Sequence, residues 1–314
     1  MTQENEFFNK ALRTHKLFLV SMLPLVGMSV YLYGLRPLFI VLIAVVMAIV
    51  GDFLNSLITG KQFSMSVLSS IYYSVTFTLL LSATTRYWIV VTGVAATLFI
   101  KNVFGGRSAM TFHPSAFGLA LVGVCWPEEM IKYPIPFSSL KLFGKVDNIL
   151  YDSPAFTLKN GGVPIIDEIN LILGDFPGPM GTTFFVLLIG ILLFLVMMRA
   201  VSKRVTVTFF LTILAVSIMF PRISIGGLKR ILLEIISGSV MFSGIFIVSE
   251  PITSPKSHKG KVVYGIMVGI LTMLFNRYGA FQTGVCFAVL LSNPLVSIID
   301  GYFNRKIGLE VVNE

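Results

Sequence analysis

Three short polar stretches interrupt an otherwise apolar chain, and each holds side chains that could move a proton or grip the edge of a ring. The first is Ser249-Glu250-Pro251-Ile252-Thr253-Ser254-Pro255. Each proline removes a backbone donor and clashes with the preceding turn, so a helix ending near Val248 must break there. Glu250, Thr253 and Ser254 then lie at the end of a membrane helix, where a carboxylate facing lipid is expensive and one facing a cavity or partner is functional. The plainer alternative pairs Glu250 with Lys256 or Lys259 in water. The second stretch runs from Gly105-Gly106 to His113-Pro114, ahead of a helix starting near Thr111. Glycine permits close backbone approach, and a helix N-terminus offers free N–H groups to a phosphate, a carbonyl or a reduced, anionic ring. His113 could donate to a carbonyl, change charge near neutral pH, or serve as a helix-end hydrogen-bonder. The third, Asp152-Ser153-Pro154-Ala155-Phe156-Thr157-Leu158-Lys159, carries the hydroxyl of Thr157, which on its own reads as an ordinary turn threonine. Asp52 could be an ion-path carboxylate or a helix-end charge.

These groups must be positioned by membrane helices. The 314 residues are 55% hydrophobic and only 12% charged, with a mean hydropathy of +0.86; soluble domains carry roughly 25% charged residues. The class is an all-α polytopic membrane protein. About ten spans are expected, at 17–35, 37–59, 66–83, 86–103, 111–127, 182–199, 205–220, 230–248, 262–276 and 283–300. Short loops on one side carry Lys10, Arg13, Lys16, Lys61, Lys101, Arg107, Arg199, Lys203, Arg204, Lys256, Lys259, Lys261, Arg305 and Lys306, against only Arg36, Arg86, Arg222, Lys229, Arg230 and Arg277 on the other. That asymmetry puts both termini in the cytoplasm. It also accounts for the net charge of +9 without nucleic acid as a partner. The first span reads as a retained helix rather than a signal peptide.

The chain divides into three regions: a first helical repeat over 1–127, a long extracytoplasmic loop over 128–181 and a second repeat over 182–314. The loop is rich in proline and should wrap over the helices. Val90-Val91-Thr92-Gly93 reads against Val262-Val263-Tyr264-Gly265, and Asn102-Val103-Phe104-Gly105 against Asn276-Arg277-Tyr278-Gly279. The two copies run in opposite directions through the membrane, so the halves form two inverted five-helix repeats, whose ligand sites lie between them near broken helices. Cys125 and Cys286 lack metal-ligand spacing and read as buried small hydrophobes. Tyr72-Tyr73 reads as lipid-facing packing or interfacial belt, and Asp300 as an interfacial stop.

The order and spacing of several motifs resemble the RnfD/NqrB family. These are the membrane flavin-binding subunits of the Rnf (ferredoxin:NAD oxidoreductase) and sodium-translocating NADH:quinone oxidoreductase complexes. The motifs are Leu23-Pro24-Leu25-Val26-Gly27, Lys101-Asn102-Val103-Phe104-Gly105-Gly106, His113-Pro114-Ser115-Ala116, Pro177-Gly178-Pro179-Met180-Gly181, the Ser249–Pro255 turn, and Leu290-Leu291-Ser292-Asn293-Pro294 with Ile298-Ile299-Asp300. The resemblance implies a subunit in a bacterial or archaeal cell membrane that passes electrons through FMN or riboflavin, coupled to cation movement. It also implies partner subunits bearing iron–sulfur centres and six-helix membrane folds. The flavin-contacting set it implies is Gly105, Gly106, His113, Glu250, Thr253 and Ser254, with Thr157 as the place of a covalent FMN. The family's Ser-Gly-Ala-Thr attachment motif is absent: Pro154 and Ala155 stand where its serine and glycine belong. Met110 and His113 replace two family asparagines, and Glu250 replaces an aspartate. A channel or transporter for a small polar solute, built on the same scaffold without a redox role, is the competing expectation.

Overall fold

Helices that meet lipid on one side and protein on the other show a stripe of large apolar side chains with nothing packed on them. α2 (Arg36–Thr59) does so with Leu42, Val46, Val50 and Leu57 exposed, a pattern that water would not tolerate over such a length. Pro37 falls in its first turn, where the missing N–H is harmless, and Gly60 ends it in the left-handed conformation (φ 65°), donating to Ser56 O. The computed structural model describes residues 2–60, 63–104, 110–143, 150–223, 227–236, 238–279 and 283–303.

The remaining elements are α1 (Thr2–Tyr33), α3 (Phe63–Leu79), α4 (Tyr87–Phe104), α5 (Pro114–Cys125), β1 (Lys132–Pro134), β2 (Leu150–Asp152), α6 (Pro154–Lys159), α7 (Glu168–Leu173), α8 (Phe185–Met197), α9 (Lys203–Met219), α10 (Gly227–Ile236), α11 (Val240–Ser243), α12 (His258–Tyr278) and α13 (Gly284–Ser292). α14 (Leu295–Phe303) comes after the break at Asn293-Pro294. The protein is a helical, polytopic membrane protein. Helix lies at each of the ten expected positions, but among the described residues only Ala11–Tyr33, Arg36–Thr59, Tyr87–Phe104 and His258–Tyr278 are long and apolar enough to cross a membrane unaided. Two further spans are bent pairs, α10 with Val240–Val248 at 60° and α13 with α14 at 50°. Val67–Leu79, Pro114–Cys125 and Phe185–Met197 are apolar but shorter than a full span.

The short helices are completed by irregular chain buried between them. Beyond α3, Leu79 O and Leu81 O accept from Gly181 N–H at 2.8 Å and Met180 N–H at 3.0 Å, and Ser29 Oγ donates to Met180 O at 2.7 Å. Non-helical backbone survives in a bilayer only when protein satisfies it in this way. A Cβ on Gly181 would sit 2.8 Å from Leu79 Cβ, which accounts for the glycine that closes Pro177-Gly178-Pro179-Met180-Gly181.

The segment between α5 and α8 covers one end of the bundle. β1 and β2 pair antiparallel, and Leu158, Leu171 and Phe176 pack on Leu233 and Ile236 of α10 in a satellite cluster. Arg36, expected on an outer loop, is instead buried and pins this segment, donating to Ala83 O and Lys141 O at 3.0 Å each. Replacing Arg36 with alanine should remove about 1.5–3 kcal/mol per charge-assisted bond from the local closing energy. Hydrogen exchange should then speed up at residues 131–143 while the α4 amides stay protected; unchanged exchange there would show that the tether is not Arg36.

Candidate functional site

Glu250 is completely buried just past a helix whose last turn is widened. Gly244–Val248 is a π-helical turn, and its Phe246 carbonyl accepts from the Tyr72 hydroxyl at 2.5 Å. A π-turn inserts a residue into the ladder and often re-aims the residues after it toward a site. Here it precedes the turn that carries Glu250, Thr253 and Ser254 into the bundle.

Side chains from several parts of the chain converge on that carboxylate. His15 Nε2 of α1 is 3.0 Å from Oε1, and the Tyr73 hydroxyl of α3 donates to the same oxygen at 2.8 Å. His113 Nε2 is 3.3 Å from Oε2, and Thr253 Oγ1 donates to Oε2 at 3.3 Å. The His15 ring stacks on Tyr72 with centroids 4.7 Å apart, and its Nδ1 is 2.9 Å from Ser69 Oγ. His113 is the N-cap of α5: its Nδ1 accepts from Ala116 N–H at 3.4 Å, which leaves Nε2 as the nitrogen bearing hydrogen toward Glu250. In the amide orientation that satisfies both ends, Asn293 accepts from His113 N–H at 2.9 Å and donates to the Tyr264 hydroxyl at 2.7 Å. One residue thereby ties the α5 cap to α12 and to the break before α14.

The expected residues divide accordingly. His113, Glu250 and Thr253 meet. Ser254 is buried beside them, its hydroxyl without a hydrogen-bond partner among the described residues. Gly105 and Gly106 lie outside the described residues. Thr157 is elsewhere: α1 runs from His15 to Tyr33, about 27 Å at 1.5 Å per residue, and the covering segment sits at the Tyr33 end, where Leu140 N–H donates to Tyr33 O. Glu250 faces histidines rather than Lys256 or Lys259, because the chain turns inward after the π-turn. Tyr72 and Tyr73 line the site instead of meeting lipid.

A second buried pair lies close by. Lys101 Nζ donates to both Asp52 oxygens, at 3.1 and 3.2 Å, and also to Ser70 Oγ. Lys101 therefore belongs to α4 and not to a basic loop, and Asp52 is no helix-end charge. Cys286 is buried as expected, whereas Cys125 is exposed. Asp300 accepts from Lys256 N–H, Ser257 N–H and the Ser257 hydroxyl, holding the start of α12 in place of an interfacial stop.

Residues 7–308 match the NQR2, RnfD, RnfE family, almost the whole chain. The chain belongs to that family. It is 28% identical to a Mannheimia succiniciproducens protein over 92% of this chain and 91% of the relative. With a Methanosarcina acetivorans protein the identity is 26% over 90% and 86%, and with one from Haemophilus influenzae 26% over 92% and 91%. Each of these three relatives is named as the D subunit of an ion-translocating oxidoreductase complex.

The flavin that the family resemblance implies finds donors at Glu250 but no room. Glu250 and His113 are 0% exposed and His15 is 1%, with Tyr72 and Tyr73 filling the space between them. A bound ring system needs a cavity of roughly 300 Å³ or more. The site as packed does not fit an isoalloxazine ring. At Thr157 the hydroxyl turns back on its own helix toward Ser153 O at 3.3 Å, and the Gly162 backbone closes over its methyl group. A phosphoester there would have to open that turn.

Proposed function

We propose that this chain is the D-type membrane subunit of an ion-translocating oxidoreductase complex of the Rnf and Nqr kind. It sits in a bacterial or archaeal cell membrane with both termini in the cytoplasm. Partner subunits bring the iron–sulfur centres and further membrane helices, and electrons cross the complex through FMN or riboflavin. The carrying observation is the buried carboxylate between two histidines where interrupted helices meet, in a chain that belongs to this family. A carboxylate at such depth is expensive even when paired, and it marks a functional site. Because the site is filled, no electron step is assigned to it, and its role in this reading is on the ion side.

The inverted repeat belongs to the same reading. α2 packs on α3 and α4 much as α9 packs on α10 and α12. The repeated glycines are both points of close approach: a Cβ on Gly93 would strike the Phe77 ring and one on Gly265 the Thr208 hydroxyl. A polar, broken centre between two such halves is where transporters hold their ions.

Purification with partner subunits tests the reading. The complex should show flavin absorbance, while this chain should give no flavin fluorescence on a denaturing gel, and the peptide containing Thr157 should have its unmodified mass. A colourless complex that moves a small solute would replace this reading with the transporter one, which the filled site and the missing attachment motif favour.

A further inference from the structure

We infer that Ser69, His15 and Glu250 form a proton relay, and that the ion this chain handles is a proton rather than a metal cation. The inference rests on the proposed role on the ion path.

The relay is a line of hydrogen-bonding atoms through one imidazole. Ser69 Oγ lies 2.9 Å from His15 Nδ1, and His15 Nε2 lies 3.0 Å from Glu250 Oε1. A histidine engaged at both nitrogens can take a proton at one and release a proton from the other. Burial rises along the line, from half-buried Ser69 through His15 to fully enclosed Glu250. A cleft of about 710 Å³, lined by Arg13, Thr14 and Leu17 of α1 and by residues 197–200 at the end of α8, opens at the α1 residues that flank His15. Ser69 is the partly exposed end of the line and Glu250 the enclosed one. In the transfer step the His15 Nε2–H bond breaks and an Oε1–H bond forms. A proton from water, passed through the Ser69 hydroxyl, replaces it at Nδ1. The imidazole stays neutral while its hydrogen moves from Nε2 to Nδ1, and the carboxylate becomes a carboxylic acid; loss of that proton and return of the ring hydrogen to Nε2 reset the line.

The described surroundings of Glu250 suit a proton better than a metal ion. Cations such as sodium, magnesium or calcium are bound by several oxygen lone pairs. Both Glu250 oxygens instead face hydrogen donors: His15 and Tyr73 on one, His113 and Thr253 on the other. Tyr72 of α3 stacks on His15, and the Tyr264 hydroxyl of α12 is engaged by Asn293. His113 holds its Nδ1 toward Ala116 N–H and so positions the carboxylate without conducting. Of the other deep carboxylates, Asp52 has the Lys101 ammonium and Glu234 the Arg222 guanidinium where a free cation would bind.

Infrared difference spectroscopy of the purified complex across a pH step tests this through the carbonyl stretch of a protonated, buried carboxyl. The band should be present in the wild type and absent in Glu250→Gln. In His15→Gln it should persist but develop about a hundredfold more slowly, the low end of what a positioned acid–base group contributes. If His15→Gln does not assemble, Ser69→Ala reads the same slowing from the half-buried end. Sodium chloride added at fixed pH, at constant ionic strength, should leave the wild-type band unmoved. A sodium-dependent band, or a wild-type rate in the available relay variant, overturns the relay. The measurement needs no electron donor, so the two readings fail separately. A normal band in a complex that transfers no electrons from NADH or ferredoxin unseats the subunit assignment alone. Electron transfer alongside a sodium-driven band unseats the relay alone.

Discussion

Changing Glu250 to glutamine should stop ion movement by the assembled complex, lowering transport into proteoliposomes about a hundredfold or more, while the chain still folds. Glutamine keeps the shape. Its amide oxygen can still accept from His15 and Tyr73, and Thr253 can rotate its hydroxyl to meet the new NH₂ group. Only His113 is left with a donor facing a donor, which should lower stability by about 1–3 kcal/mol. Glu250→Leu is the contrasting case. It strands two imidazoles and two hydroxyls in a dry interior, and breaking such a buried charged contact costs about 3–5 kcal/mol. The leucine variant should therefore be lost at the level of folded yield and the glutamine variant at the level of transport. Normal transport by Glu250→Gln would remove this carboxylate from the ion path.

The second large effect is expected at the buried Asp52–Lys101 pair. Lys101→Met leaves the Asp52 carboxyl enclosed and without its cation, which should destabilise the protein by about 3–5 kcal/mol. Asp52→Leu strands the ammonium with similar consequences. The double variant Asp52→Leu with Lys101→Met should recover most of the loss, because well-packed apolar residues can replace a buried ion pair at little net cost. Thermal melting of the wild type and the three variants in one detergent forms a double-mutant cycle, which isolates the pairwise interaction. Additive losses would mean that Asp52 and Lys101 act independently, contrary to their contacts of 3.1 and 3.2 Å.

Glu250 and Lys101 also mark where reading the chain by itself succeeds and fails. Composition decided the solvent, since a chain so apolar and so sparsely charged has no soluble fold open to it. Proline chemistry decided the break after Val248, because Pro251 and Pro255 act on their own turn whatever surrounds them. The start of α5 was legible for the same reason: Pro114 suits a first helical position, and His113 before it can cap. All of these are local effects, carried by residues within a turn of one another.

Only the tertiary structure decided who faces whom. His15 stands in a mixed-charge stretch that resembles a solvated helix start, yet it meets Glu250, 235 residues away. Lys101 looked like part of a basic loop and is the counter-charge of Asp52; Arg36 looked exposed and pins the covering segment. A histidine that begins an apolar helix was a signal for the first, and nothing local distinguished the others. Partner choice among distant polar groups depends on which helices touch and how far each is rotated. That is settled by packing at sites such as Gly93 on Phe77 and Gly181 on Leu79, and the energy of each buried contact exists only after the helices have come together.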